Sequence, residues 1–244
     1  KRQNPSPVTY GNYIFAYYRS GNFAGLDIKG KVLWTTNLQE RFGKDTLYWD
    51  IGTSPVVTQS HAVIAVIQER GSFLAAFDKK SGEIAWKVAR NYECPTEGDH
   101  SYTTPIVVRH EGKEAILVWG AERLTLHSAA DGKVIWSCAG FNPEEKRFWV
   151  TVASPVISDG VVVVPYGRGE RLAGVKLGGK GDVTKTHIAW EQKRGVAALS
   201  SLLYIKPYLY SISRDNILHC LEASSGTIAW TQRLSGVHWA SPVY

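Results

Sequence analysis

The chain contains 244 residues, of which 44% are apolar and 20% are charged, and it carries 9 Trp, 12 Tyr and 7 Phe. This composition excludes a disordered chain and allows one large domain or two small ones. No apolar run approaches the roughly 18 residues of a membrane-spanning helix, so we predict no transmembrane segment. The formal net charge is +6, but the basic residues are scattered, and we predict no nucleic-acid partner.

The chain ends and the cysteines carry less information. The first ten residues show no leader pattern and the chain lacks Met, so we expect a segment of a longer precursor whose signal peptide lies outside this sequence. Cys94, Cys138 and Cys220 are odd in number and have no CxxC spacing. These features favour buried small hydrophobic residues over a disulfide framework.

Taken in chain order, the sequence repeats two markers. The first is a small hydroxyl residue followed by proline and a β-branched residue, and it begins at Ser6, Ser54, Thr104, Ser154 and Ser241, with a proline-free copy at Ser201. The second is Gly-x-x-x-Trp, and it ends at Trp34, Trp86, Trp136 and Trp230. Further apolar segments between the markers, separated by Gly-containing turns, give four predicted strands in each unit.

Units of about 40 to 50 residues with four short strands are typical of β-propeller blades. We therefore predict a single all-β propeller domain, with a sandwich as the alternative. The predicted blades are residues 5–38, 53–90, 103–139, 153–193 and 200–234, and 240–244 would start the next blade. In the fourth unit a glycine-rich insertion at 176–182 precedes Trp190. We expect a strand after it, whereas a phosphate-binding loop requires a helix there.

The segment Leu74–Trp86 carries Asp78, Ser81 and Gly82 at the spacing A-x-D-x-x-T-G-x-x-x-W. This spacing resembles the tryptophan-docking motif of the pyrroloquinoline-quinone-type propeller repeats, and the repeat covers nearly the whole chain. The resemblance implies that one tryptophan per blade docks against the next blade, with its indole N–H on a backbone acceptor. The residues given this structural role are Trp34, Trp86, Trp136, Trp190 and Trp230.

This repeat family has an enzymatic and a non-enzymatic branch. Resemblance to the quinoprotein dehydrogenases implies pyrroloquinoline quinone and calcium in an eight-bladed ring. Resemblance to relatives such as the propeller lipoprotein of the outer-membrane β-barrel assembly machinery implies a scaffold. Here no two cysteines adjoin and no CxxCH haem motif occurs. We therefore favour an extracytoplasmic, non-catalytic scaffold without a cofactor, and keep a quinoprotein dehydrogenase fragment and a carbohydrate-active enzyme with paired carboxylates as alternatives.

The number of repeats also bears on assembly. Five units followed by the start of a sixth lead us to expect a parent ring of seven or eight blades. A last blade without a neighbour would expose an unpaired edge, so self-association through that edge is a possible interaction.

Arginines follow the predicted propeller faces. Eleven of the 13 fall in turns between second and third strands or in loops between blades, which share one face. Because guanidinium binds carboxylates and phosphates in a bidentate manner, an anionic polymer or an acidic protein partner could bind there. Structural ion pairing with acidic neighbours such as Glu170 is the alternative. The candidates are Arg41, Arg147, Arg168 and Arg171, of which Arg168 and Arg171 are the least compensated locally.

Long loops on the same face carry aromatic residues that do not belong to the docking motif, among them Trp49, Trp149 and Trp239. Aromatic and arginine residues together are typical of interface hot spots. Trp49 and Trp149 each precede a blade-starting serine by five residues, which favours packing for both. The acidic segment Glu93–His100 is interpreted as a solvated loop, since its spacing fits neither zinc nor calcium. No catalytic residue and no metal ligand is predicted.

Overall fold

The computed structural model describes residues 5–193, 196, 199–238 and 240–244. Strands make up 46% of the structure and helices 4%. The strands form five sheets, and each sheet contains four strands that pair antiparallel in chain order. One sheet carries a fifth strand, which comes from the next unit of the chain. We call each of these four-stranded units a blade and number the blades in chain order.

The bounds of the elements are as follows. Blade 1 contains β1 (Val8–Tyr10), β2 (Tyr13–Tyr17), β3 (Asn22–Asp27) and β4 (Val32–Asn37), followed by the helix α1 (Leu38–Phe42). Blade 2 contains β5 (Val56–Val57), β6 (His61–Val66), β7 (Phe73–Asp78) and β8 (Ile84–Ala89). Blade 3 contains β9 (Ile106–His110), β10 (Lys113–Gly120), β11 (Arg123–Ser128) and β12 (Val134–Cys138).

The remaining elements complete the fold. Blade 4 contains β13 (Val156–Ser158), β14 (Val161–Tyr166), β15 (Arg171–Lys176) and β17 (Ile188–Gln192), with β16 (Gly181–Asp182) and the helix α2 (Thr184–His187) between β15 and β17. Blade 5 contains β18 (Leu203–Ile205), β19 (Tyr208–Ile212), β20 (Ile217–Glu222) and β21 (Ile228–Arg233). No helix of the described residues is long and apolar enough to cross a bilayer.

Buried apolar side chains fill the space between consecutive sheets. One cluster joins Phe15 and Phe23 of blade 1 to Ile64 and Phe77 of blade 2. Three further clusters join blades 2 and 3, blades 3 and 4, and blades 4 and 5 in the same way. Small antiparallel sheets that pack face to face in chain order define a β-propeller. The predicted all-β propeller fold is therefore confirmed.

A register shift recurs at the same place in every blade. In all five blades, the register between the third and fourth strands shifts by one residue beside the tryptophan of the fourth strand. In blade 1, for example, the shift lies between Gly25 and Leu26, opposite Trp34. Such a bulge bends the strand and re-aims the adjacent side chain. The bulge lies where the indole must turn out of its own sheet.

The indoles of three blades contact the following blade in the same way, through a hydrogen bond to a carbonyl and through packing against a glycine. Trp34 donates its indole N–H to the Lys79 carbonyl at 3.0 Å, and Trp86 and Trp190 donate to the equivalent carbonyls of Ala129 and Ala223. A Cβ added at Gly82 would lie 2.5 Å from the Trp34 ring. The marker glycines Gly82, Gly132 and Gly226 thus accommodate the tryptophan of the preceding blade, a role that the sequence did not indicate.

Trp136 and Trp230 differ from this pattern. Trp136 is fully buried, but its indole N–H has no acceptor among the described residues, because blade 4 lacks the marker glycine and carries the insertion instead. The insertion adds β16 as a parallel strand to β12 of blade 3. Trp230 is 46% exposed, since no described sheet follows blade 5.

One expectation is corrected in blade 4. The short helix α2, and not a strand, comes directly after β16, because Thr186 and His187 both donate backbone N–H bonds to the Val183 carbonyl. Residues 240–244 have no strand assignment in the described structure, and the start of a sixth blade there stays a prediction. Ser241 nevertheless keeps the contact of a blade-starting residue, because its hydroxyl accepts the Ser201 N–H at 3.0 Å.

The blade-starting hydroxyl residues form a continuous ladder between blades. The backbone N–H of each donates to the side-chain oxygen of its counterpart in the next blade, over distances of 2.9 to 3.2 Å. The ladder runs through Ser6, Ser54, Thr104, Ser154, Ser201 and Ser241. The small hydroxyl residue of the first marker is therefore an acceptor that links neighbouring blades.

His127, fully buried in blade 3, makes stability depend on pH. Its Nδ1 donates to the Gly132 carbonyl at 2.8 Å, which leaves Nε2 to accept from the Thr125 hydroxyl. Burial, assisted by the positive charge of Arg90, lowers the pKa of the imidazole to about 4 against the opposing effect of the Gly132 bond. The folded protein therefore holds His127 neutral at a pH where the unfolded chain protonates it.

We expect stability to fall as pH decreases from about 6.5 to about 4, with His127 contributing about 3 kcal/mol to the loss. The unfolded state binds the extra proton in this range, so the free energy of unfolding rises with pH. Urea denaturation of the wild type and of His127→Gln at pH 7, 5.5 and 4 isolates this effect, because the other titrating groups are common to both. Equal pH slopes for the two proteins would contradict the assignment.

Candidate functional site

One face of the propeller carries both kinds of loop named in the sequence analysis. In an antiparallel blade, the turn between the second and third strands and the connection to the next blade leave from the same end of the sheet. We call this end the loop face. The connections 90–105 and 139–155 run side by side there, joined by a bridge between Ser101 and Thr151 and by the Tyr102 N–H, which donates to the Thr151 carbonyl.

A cleft of about 630 Å³ opens on the loop face beside blades 3, 4 and 5. We call it the basic cleft. Its lining residues are Lys146, Arg147, Phe148, Trp149, Gly167, Arg168, Glu170 and Arg214. The fold thus brings together three of the predicted site residues, Arg147, Trp149 and Arg168. It also places Arg214 there, which is not among the predicted site residues.

Arg168 and Arg171 are both paired, contrary to the expectation that they are the least compensated. Arg168 Nη2 lies 2.8 Å from Glu97 Oε2, and Arg171 Nη2 lies 3.1 Å from Glu144 Oε1. Neither glutamate is a sequence neighbour of its arginine. The turn between β14 and β15 of blade 4 faces the connections 90–105 and 139–155, which carry Glu97 and Glu144. The ion pairs therefore link loops of different blades, while the adjacent Glu170 forms no ion pair within the described part of the chain.

The acidic segment Glu93–His100 is not a solvated loop. The Glu97 side chain is only 2% exposed and His100 is 1% exposed. Glu97 is buried because Arg168 reaches it across the cleft wall, and a buried carboxylate requires such a partner. Its second oxygen, Oε1, has no hydrogen-bond donor among the described residues, and neither does Arg168 Nε have an acceptor.

Arg147 and Arg214 supply the uncompensated charge of the basic cleft. Arg147 Nε donates to Thr96 Oγ1 at 3.1 Å, but neither arginine lies within 4 Å of a carboxylate among the residues that the structure describes. Lys146, by contrast, pairs with Glu144 at 2.9 Å. Hydrogen bonds from Lys146 and Arg171 lower the pKa of the Glu144 carboxyl group. The cleft therefore keeps a net positive charge at neutral pH.

Three residues around this cleft have strained backbone conformations. Glu97, Phe148 and Arg168 all have left-handed backbone angles, with φ between 57° and 64°. The Phe148 side chain is 50% exposed, and its backbone N–H donates to the Thr96 carbonyl at 2.7 Å. Non-glycine residues in this conformation cost free energy and cluster at functional sites.

Trp49 and Trp149 occupy different environments despite their equivalent positions. Trp149 is buried, donates its indole N–H to the Phe141 carbonyl at 2.9 Å and packs against Gly167. Trp49 is 50% exposed, so it is packed less completely than Trp149. The position in blade 2 that corresponds to Gly167 is Ile67, whose side chain is buried.

The other predicted site residues do not line the basic cleft. Arg41 lies on α1, where it donates to Thr36 Oγ1 at 3.3 Å and its guanidinium lies over Phe42. Arg171 stands behind the cleft with its guanidinium over the Trp149 ring. Trp239 and Arg194 lie outside the described residues.

The described residues do not fit the calcium site that a quinoprotein would need. They contain no group of three or more His, Cys, Asp or Glu side chains placed to hold a metal ion. The three cysteines are unpaired, and two of them are buried. Burial raises the pKa of the Cys94 thiol to about 12, so this thiol is not a nucleophile at neutral pH.

The fold and the repeated tryptophan marker define this chain as a β-propeller of the pyrroloquinoline-quinone-like repeat type. The chain belongs to the family described as outer membrane protein assembly factor BamB, which matches residues 1–232. None of the curated proteins compared with it matches the sequence.

Solved structures show the same fold at low sequence identity. BamB from Moraxella catarrhalis is 16% identical, with a TM-score of 0.54 over 96% of this chain and 77% of that one. The computationally designed Ika8 protein is 9% identical, with a TM-score of 0.62 over 97% of this chain and 64% of that one. The quinohemoprotein alcohol dehydrogenase from Comamonas testosteroni is 11% identical, with a TM-score of 0.51 over 98% and 60%. The chain spans less than two thirds of the last two structures.

Proposed function

We propose that the protein is a non-catalytic, extracytoplasmic scaffold that binds an acidic region of a partner protein in the basic cleft. The observation that carries this proposal is the pair of uncompensated arginines, Arg147 and Arg214, beside the half-exposed ring of Phe148. Arginine and aromatic side chains around a cleft are the residues that dominate binding energy in protein interfaces. The family description, an outer membrane protein assembly factor, supports both the partner and the location.

Arg168 and Trp149 have supporting roles in this proposal. Arg168 lines the cleft while its Nη2 pairs with Glu97. It therefore adds hydrogen-bond donors to the cleft, but the Glu97 carboxylate cancels its charge. Trp149 is packed below the surface and fixes the wall of the cleft. A site that is already shaped before binding loses less entropy when the partner arrives.

Site-specific photocrosslinking tests the proposal. The protein carries p-benzoylphenylalanine in place of Phe148 on the loop face, or in place of the 56% exposed Ile28 on the opposite face, and is irradiated in an envelope extract of its source cells. We expect a discrete crosslinked partner from position 148 and none from position 28. Equal crosslinking from both positions, or none from position 148, would show that the loop face is not the binding surface.

Charge variants then identify the contact. R147Q/R214Q should reduce the yield of the crosslinked partner about tenfold, because it removes two charge-assisted contacts. K29Q/K31Q removes the same charge from exposed turns of the opposite face and serves as the matched control. A similar loss of crosslinking yield in both variants would mean that the partner responds to the net charge of the protein and not to the basic cleft.

A further inference from the structure

A second cleft lies on the loop face and has the opposite charge. It encloses about 740 Å³. Its lining residues are Gln68, Glu69, Arg70, Gly71, Asn91, Tyr92, Glu93, Cys94 and Asp99. The lining carries three carboxyl groups and one guanidinium, so we call it the acidic cleft. Outside the lining residues, the guanidinium groups of Arg90 and Arg123 lie over the Tyr92 ring.

The two clefts share one wall, which is the segment 94–99. Cys94 and Asp99 line the acidic cleft, whereas Thr96 accepts hydrogen bonds from Arg147 and Phe148, and Glu97 pairs with Arg168. Six residues span at most about 20 Å even when fully extended. A peptide of a few residues can therefore cross from one cleft to the other.

The wall is packed too tightly to be a loose loop. The Gly98 N–H donates to the Pro95 carbonyl at 2.7 Å, and a Cβ on Gly98 would lie 2.7 Å from Glu122 Oε1. The wall also holds Glu97 Oε1, a buried acceptor without a donor in the described structure. Buried acceptors are normally satisfied by a protein group or an ordered water.

The charge pattern discriminates between the classes of ligand that a basic cleft could take. A continuous polyanion that extended beyond the basic cleft would meet Glu69, Glu93 and Asp99 across the wall. The anionic groups that entered the acidic cleft would come within a Debye length of these carboxylates, about 8 Å at physiological salt, and would be repelled. A ligand whose negative charge is confined to the basic cleft avoids this repulsion.

We propose that the occupant is a short segment of a partner protein in which acidic residues, seated in the basic cleft, are followed or preceded within a few residues by basic residues seated in the acidic cleft. This inference rests on the proposed function and adds the charge order of the bound segment. Opposite charges in register across an interface favour the correct partner and reject segments with the wrong order.

Labelled peptides test the charge order by fluorescence anisotropy. Two block peptides carry three Glu, two Gly and two Lys in either direction, and a third has the same composition with alternating charges. Heptaglutamate represents a polyanion. We expect one block peptide to bind about fivefold tighter than both the alternating peptide and heptaglutamate. Heptaglutamate binding as tightly as the better block peptide would overturn the inference, and so would the absence of binding by any peptide.

Variants of each cleft separate this inference from the proposed function. E69Q/E93Q changes two exposed side chains of the acidic cleft and should abolish the preference for the block peptide while heptaglutamate binds more tightly. E83Q/E111Q, on the opposite face, makes the same change in charge and should leave the preference intact. An unchanged preference in E69Q/E93Q would overturn the proposed charge order. The crosslinks from position 148 report on the proposed function independently of these peptides.

Discussion

Replacing Trp34 by alanine is expected to lower the free energy of unfolding by about 3–5 kcal/mol, the range for large aromatic side chains removed from a core. The indole is 8% exposed, contacts the rings of Phe23 and Phe77, and donates its N–H to the Lys79 carbonyl. Its loss leaves a cavity between blades 1 and 2 and a carbonyl without its donor. Denaturant unfolding followed by far-ultraviolet circular dichroism measures the change without relying on tryptophan fluorescence.

Trp230→Ala is the matched control for Trp34→Ala. Trp230 occupies the same position of the repeat but is 46% exposed, so its removal should cost about 1 kcal/mol or less. The difference between the two variants measures what contact with a following blade contributes to stability. Equal losses would mean that the indole stabilises its own sheet and does not dock on the next one.

Replacing Arg90 by alanine is expected to lower the free energy of unfolding by about 3–5 kcal/mol, which is the usual cost of breaking a buried network that contains a charge. The guanidinium is almost completely buried at the end of β8 and donates to the carbonyls of Gly120 and Arg123 and to the Thr125 hydroxyl, over 2.8 to 3.0 Å. Burial lowers the pKa of Arg90 to about 10, so it stays charged at neutral pH. Its removal would leave buried acceptors of blade 3 unpaired.

Arg41→Ala provides the comparison for Arg90→Ala. Arg41 belongs to the same set of loop-face arginines, but its hydrogen bond to Thr36 is exposed, and a surface change of this kind costs about 0.5 kcal/mol or less. Thermal or urea unfolding of both variants gives the two numbers. A loss from Arg90→Ala no larger than that from Arg41→Ala would show that water can replace the guanidinium at those carbonyls.

The repeat made the fold predictable from the sequence. A tryptophan at constant phase and a hydroxyl residue at the start of each unit sufficed to place four strands per blade, because both residues make contacts that recur from blade to blade. The insertion before Trp190 was visible as a departure, but its pairing with β12 was not. That pairing depends on the neighbouring blade, and a local pattern contains no information about it.

The candidate site was predictable only in part. Residue type and loop position selected Arg147, Arg168 and Trp149, which the fold does bring to one cleft. The ion-pair partner of Arg168 could not be predicted, because Glu97 lies 71 positions before it. Proximity in sequence favoured Glu170 as the partner instead. Trp49 and Trp149 could not be distinguished, since the burial of Trp149 depends on its contact with Gly167, a residue 18 positions further along the chain.

The parallel strand β16 has a mechanical consequence for the cleft. The junction of blades 3 and 4 is fastened at both ends, by β16 on β12 at one end and by the Arg171–Glu144 pair at the other. We expect these two blades to move as one block in slow breathing motions. The junction of blades 4 and 5 is held by the Trp190 indole and by the contacts of Tyr204 and Lys206 with Asp159. Arg214 belongs to blade 5, so the basic cleft spans this junction, and its shape depends on how blade 5 packs against the block of blades 3 and 4.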